Sequence, residues 1–172
     1  MMEVQKASSV VKTTSSRSSC GKFRFLLTKY WEAKSERKPR GLFICENPSI
    51  ADELKYDQTL ANITTLAVMW GWSGFELVNV HPSYSSDPKK IQPSQEAEEI
   101  NSKFIDKAVA RHSLIVIATG EGHMRVVNKI IKKYPDKKYL CIANNADGSG
   151  RHPSRLTIEN HPKPELYKKA IS

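Results

Sequence analysis

Asn47, Asn79 and His152 lie far apart in the sequence, yet each sits in or just after an apolar run that reads as a buried strand. Asn47 belongs to Glu46-Asn47-Pro48-Ser49, directly after Gly41-Leu42-Phe43-Ile44-Cys45. Asn79 interrupts the run Leu77-Val78-Asn79-Val80, and His152 belongs to Arg151-His152-Pro153-Ser154, shortly after Tyr139-Leu140-Cys141-Ile142-Ala143. An amide presents a donor and an acceptor side by side, the pattern that meets the edge of a nucleobase. An imidazole can donate to a carbonyl or to a developing oxyanion. Proline restricts the backbone on both sides of its own nitrogen, which holds the preceding polar residue in place. Polar loops at the carboxyl ends of strands are where open α/β sheets place their ligands. If these loops rise from one sheet, their side chains face a common crevice.

Other motifs carry less. His81-Pro82-Ser83 repeats the His-Pro-Ser tripeptide, which shows how readily it arises, and His161-Pro162 falls in the tail. Asp57 or Thr59 can cap a helix. Gly120-Glu121-Gly122 follows a strand and offers backbone N–H groups to a phosphate, with Glu121 opposing it; the full dinucleotide and P-loop patterns are missing. The nucleophile-elbow, zincin and EF-hand motifs are missing too. Cys20, Cys45 and Cys141 have no C-x-x-C spacing, and the last two fall in apolar runs where cysteine acts as a small hydrophobe. No metal and no cofactor is expected.

The elements that must position these residues follow from pattern. Residues 1–19 are rich in Ser and Thr and read as a flexible leader; residues 20–172 read as a single α/β domain. Strands are expected at Lys22–Trp31, where apolar residues alternate, at Gly41–Cys45, at Phe75–Val80, at Leu114–Ala118 and at Tyr139–Ala143. Helices are expected from Asp57 or Thr59 to about Gly71, from Ser94 to Ala110, from Gly120 to Lys133, and in the tail around Glu165–Ala170. Residues 81–94 form a long Pro/Ser-rich loop, a type that is often functional. Strands alternating with helices predict a three-layer α/β/α sandwich around a short, mostly parallel sheet.

These segments resemble the uracil-DNA glycosylase superfamily. Phe43-Ile44-Cys45-Glu46-Asn47-Pro48 looks like its first motif, Phe75-Glu76-Leu77-Val78-Asn79 like the strand whose asparagine reads the base, and His152-Pro153-Ser154-Arg155-Leu156 like its second motif. More narrowly, Asn47-Pro48-Ser49-x-Ala51-Asp52 with Asp57-x-Thr59, Val78-Asn79 and Gly150-Arg151-His152-Pro153 are similar to domain-of-unknown-function family 1643, over roughly residues 20–157. The superfamily resemblance implies a pocket for an extruded base. Asn47 would position a water, Asn79 would pair with the base, and His152 would steady charge on the leaving base. Leu156 would fill the vacated stack; Ser49 and Ser154 would hold phosphates, with Glu46, Pro48, Gly120 and Arg151 also at the ligand. The usual water-activating aspartate is missing from the first motif, so Glu46, Asp52 or Asp57 would have to serve, with Asp57 the choice. Thr119 replaces a tryptophan before Gly120, Arg155 a proline in the second motif, and Ala61-Asn62 a basic pair after Asp-x-Thr.

Composition limits the classes. The chain has 172 residues, 39% of them hydrophobic, and no apolar run near the roughly 20 residues of a membrane span. With no secretory segment visible, an intracellular, cytoplasmic protein is expected, in a host cytoplasm if the source is a phage. The net charge of +9, from 27 basic and 18 acidic residues, favours nucleic acid or a nucleotide as partner. The lysines are scattered in ones and twos. Three functions follow: an N-glycosidase, a protein that sequesters a nucleotide without hydrolysis, and a DNA-binding module.

Overall fold

The computed structural model describes residues 3–31, 38–49, 51–84 and 94–168. Among these residues the strands and α-helices follow in the order β1 (Val11–Arg17), β2 (Arg24–Trp31), β3 (Gly41–Cys45), α1 (Gln58–Met69), β4 (Gly74–Asn79), α2 (Gln95–Arg111), β5 (Leu114–Ile117), α3 (Met124–Lys133), β6 (Lys138–Cys141) and β7 (Glu165–Leu166). The strands form one seven-stranded sheet in the order β1-β2-β4-β3-β5-β6-β7.

The sheet is mixed, which corrects the expectation of a mostly parallel one. β4, β3, β5 and β6 run parallel, while β2 is antiparallel to β4, β1 to β2 and β7 to β6. Every residue of β3 and β4 is buried, as central strands covered on both faces must be. Alternate side chains feed two cores. Phe43, Cys45, Phe75 and Leu77 pack with Leu60, Ile63 and Leu66 of α1 on one face. Leu42, Ile44, Val78, Ile115 and Ile117 pack with Ile105, Val109, Val127 and Ile130 of α2 and α3 on the other.

Local chemistry sets the ends of these helices. Asp57 caps α1, its Oδ1 accepting from Leu60 N at 2.7 Å, and Ser94 caps α2 by accepting from Ala97 N at 3.3 Å. α3 starts at Met124 rather than at Gly120, because Gly120 and Gly122 take positive φ values of 73° and 89° that no helix accommodates. Within the stretch read as a flexible leader, residues 11–17 form β1. The expected tail helix is replaced at Glu165–Leu166 by β7, whose Leu166 pairs with Leu140; residues 169–172 lie outside the described residues. So do residues 85–93 of the Pro/Ser-rich loop. Among the described residues no helix is long and apolar enough to cross a membrane.

Candidate functional site

The chain leaves β3 toward α1 on one face and returns from β4 through α2 on the other, so the winding reverses between β3 and β5. Such a reversal leaves a crevice beyond the carboxyl ends of the strands. Backbone bonds tie its walls together. Val80 N and His81 N donate to Cys45 O and Glu46 O, Ala118 N to Ile44 O, Gly120 N to Gly150 O, and Arg151 N to Ala143 O, each at 2.9 Å. The loops after β3, β4, β5 and β6, which carry the residues singled out from the sequence, therefore stand at one end of the sheet. A histidine–carboxylate contact spans the reversal: His123 Nε2, after β5, lies 3.2 Å from Glu46 Oε1, after β3. The His123 ring meets His81 edge-on at 5.8 Å, and His81 Nδ1 lies 3.3 Å from Glu98 Oε1.

Asn47, Ser49 and Asn79 share one small cavity with Arg24, Cys45 and Thr59, of ≈ 10 Å³. Asn79 is 2% exposed, and its carbonyl, like that of Val80, accepts from Asn101 Nδ2 at 2.9 and 3.1 Å. Asn47 Nδ2 donates to Pro48 O at 3.1 Å, and Ser49 Oγ accepts from Ala51 N at 3.4 Å. Burial pushes the Cys45 thiol up to about 12, so it stays protonated and is no nucleophile at neutral pH.

His152 packs against Gly120, where a Cβ would come within 3.4 Å of the His152 Cβ. Its Nδ1 accepts from the Ser154 backbone N–H at 3.2 Å and lies 3.0 Å from Ser154 Oγ, which leaves the proton of the neutral ring on Nε2. Burial lowers the pKa of this imidazole; the Glu46 and Asp57 carboxylates oppose that shift and His123 adds to it. Arg151 is exposed, with Nε 3.3 Å from Asn145 Oδ1. Leu156 is partly buried against the α1-side core. Asp57 lies at the α1 cap, and its charge reaches both Arg24 and His152.

Several residues of this end escaped the sequence reading. Arg24 looked like the polar position of an alternating strand, but β2 lies inside the sheet and Arg24 is 2% exposed. Asn62, noted only as a departure, is buried in α1 and donates to Pro153 O at 2.6 Å, fastening the His152 segment to that helix; Gln58 Nε2 in turn donates to Asn62 Oδ1 at 2.8 Å. His123 was read as a helix residue without a role. The one available signal was an internal polar residue in an apolar α1 pattern, at Asn62. A larger cavity of ≈ 320 Å³ opens between α2 and α3, lined by His81, Glu98, Asn101, Lys129 and Lys133 among others. It borders the histidine–carboxylate cluster, and Asn47, Asn79 and His152 do not line it. Among the described residues no group of three or more His, Cys, Asp or Glu is arranged to hold a metal ion.

The model of a family described as a protein of unknown function (DUF1643) matches residues 24–154. That span is more than half of the chain and contains every candidate residue except Leu156, so the chain belongs to this family. No curated protein matches the chain, and no solved structure does.

Proposed function

We propose that this DUF1643 protein takes up a nucleobase, in DNA or in a nucleotide, at the carboxyl ends of β3, β4 and β5, and hydrolyses its N-glycosidic bond in the manner of uracil-DNA glycosylases. One observation carries the reading. Asn47 and Asn79, from separate segments, line the same cavity, and His152 lies at the same end of the sheet within reach of the Glu46 and Asp57 charges.

The chemistry assigns each residue a task. Asn79 meets the one atom of the base edge that the small cavity admits, and Asn47 positions a water against C1′ of the sugar. The carboxylate of Asp57 takes a proton as the water oxygen bonds to C1′. The C1′–N bond breaks and its electron pair moves into the base. His152 Nε2–H donates to the oxygen on which that charge gathers, and a neutral imidazole serves as that donor. Arg151, Ser49 and Ser154 hold phosphate, while the Gly120 N–H is already given to Gly150 O. Because Leu156 is held against the core, nothing here depends on it as a wedge.

The test is mass spectrometry of free bases after incubation with DNA carrying normal, deaminated and modified bases, and with a nucleotide pool. Release that disappears in Asn47→Ala and in His152→Ala supports the reading; release that persists in both defeats it. A second reading, a protein that sequesters a nucleotide unchanged, is favoured by the structural duties of the acids: Glu46 is paired with His123, and Asp57 Oδ1 holds the α1 cap. Recovery of an intact nucleotide from the protein, with no base released, selects this second reading.

A further inference from the structure

Arg24 has no task in the chemistry above, and its surroundings assign it one. It projects from an interior strand with 2% of its surface exposed. Nη1 donates to Ala51 O at 2.7 Å, and Cζ stands 5.7 Å from the centroid of the Tyr84 ring. The remaining accounting fails: Nε is buried with no hydrogen-bond partner, and the neighbouring Tyr84 hydroxyl is also buried and unpartnered. Among the described residues no carboxylate forms an ion pair with Arg24. Burial lowers its pKa, while Tyr84 and Asp57 favour the charged form; a guanidinium stays protonated regardless. An unpaired buried cation is costly, and a structure that keeps one commonly does so for function.

The cavity that Arg24 lines has a size that fits one atom. Its ≈ 10 Å³ is about the space of a single water or oxygen. Asn47, Ser49, Thr59 and Asn79 also line that space. The first turn of α1, with Thr59 and Leu60, borders it and brings the positive end of the helix dipole.

We propose that the cavity is an oxyanion subsite, in which the unpartnered Nε–H of Arg24 binds one negatively charged oxygen of the ligand. This rests on the reading that the crevice holds a nucleobase or nucleotide. Two parts of such a ligand supply that oxygen. One is the phosphate of a nucleotide. The other is an exocyclic oxygen of the base, which gains charge as the electron pair of the C1′–N bond enters the ring.

The experiment is a thermal-shift and calorimetric titration of the full chain, Arg24→Met and Arg24→Lys with inorganic phosphate, the nucleoside 5′-monophosphates and the matching nucleosides. The wild type gains melting temperature with at least one compound, and Arg24→Met binds it about tenfold or more weakly while melting no lower than wild type without ligand. Binding of phosphate and monophosphate but not nucleoside makes the phosphate the source. Equal binding of nucleoside and monophosphate makes it the base. Failure of every compound to shift the wild type overturns the subsite, and so does Arg24→Met that keeps wild-type affinity. If Arg24→Met does not fold, Arg24→Lys carries the test, since lysine keeps the charge and lacks the Nε–H; unchanged affinity then overturns the proposal. Base release separates the two readings. Binding through Arg24 without release defeats hydrolysis and leaves the subsite, whereas release at unchanged rate and affinity in Arg24→Met defeats the subsite and leaves hydrolysis.

Discussion

Asp57 closes α1 through Oδ1 and stands beside the crevice, and two substitutions separate these duties. Asparagine caps a helix as well as aspartate does, whereas alanine loses about 1 kcal/mol. In urea unfolding, Asp57→Asn is expected to match wild type and Asp57→Ala to fall by that amount. If the carboxylate takes the proton from water, both variants lose base release. An Asp57→Asn protein that releases base at the wild-type rate removes Asp57 from the mechanism. His152 gives a pH signature. Its folded pKa is depressed below the ordinary 6.5, with burial the main cause. The unfolded chain therefore binds the proton more readily, and stability rises with pH across the interval between the folded pKa and 6.5. The contribution is complete above 6.5 and is lost as pH falls through that interval. The difference in unfolding free energy between wild type and His152→Gln should shrink from pH 7.5 to pH 5; a constant difference contradicts the shift. Asn47, Asn79 and His152 were legible as candidates because a polar residue beside an apolar run is conspicuous. Arg24 was not, since alternation along one strand does not reveal whether another strand will cover its polar face.

Two elements meet at the His152 segment, and each contact has a measurable consequence. Asn62 of α1 donates to Pro153 O in a buried setting, so Asn62→Leu leaves that carbonyl unpaired and should cost about 1–3 kcal/mol. The same variant should shift the NMR signals of His152, while stability and signals both unchanged would mean that α1 does not hold this loop. Gly150 lies so close to β5 that a Cβ would run into the Ile117 carbonyl, and Gly150→Ala should lose about 1–3 kcal/mol of stability through overpacking. The parallel strands were readable because β3, β5 and β6 are short apolar runs followed within a few residues by Pro, Gly or Asn, and α1 and α2 because their caps precede a helical apolar period. The antiparallel edges were not. β1 is an exposed Ser/Thr-rich strand whose residues pair with β2 without offering an apolar face. β7 has two exposed residues, so nothing in its composition marks it as a strand. Both are held by ladder bonds to a neighbour distant in sequence, information that a local pattern does not carry.

At the scale of the molecule, charge supplies the test that separates a polymeric ligand from a single nucleotide in the proposed site. The net charge of +9 draws polyanions, but the lysines are spread in ones and twos, and the crevice mixes Glu46 and Glu98 with His81 and His123. Each phosphate that a protein neutralises releases counterions, so affinity for DNA falls with salt in proportion to the contacts made. A track of about six to ten contacts loses roughly 10³- to 10⁵-fold between 50 and 200 mM salt, and about two contacts lose roughly tenfold or less. In the proposed site, the buried Arg24, the exposed Arg151 and a few hydroxyls would contact one phosphate or one base rather than form a track. Fluorescence anisotropy of a labelled oligonucleotide should therefore show at most about a tenfold loss of affinity over that range. A loss of a thousandfold would place a phosphate track on the surface and make DNA the substrate. A shallow slope would instead fit the proposed pocket taking one nucleotide at a time, with the surplus charge acting to concentrate small anions near the crevice.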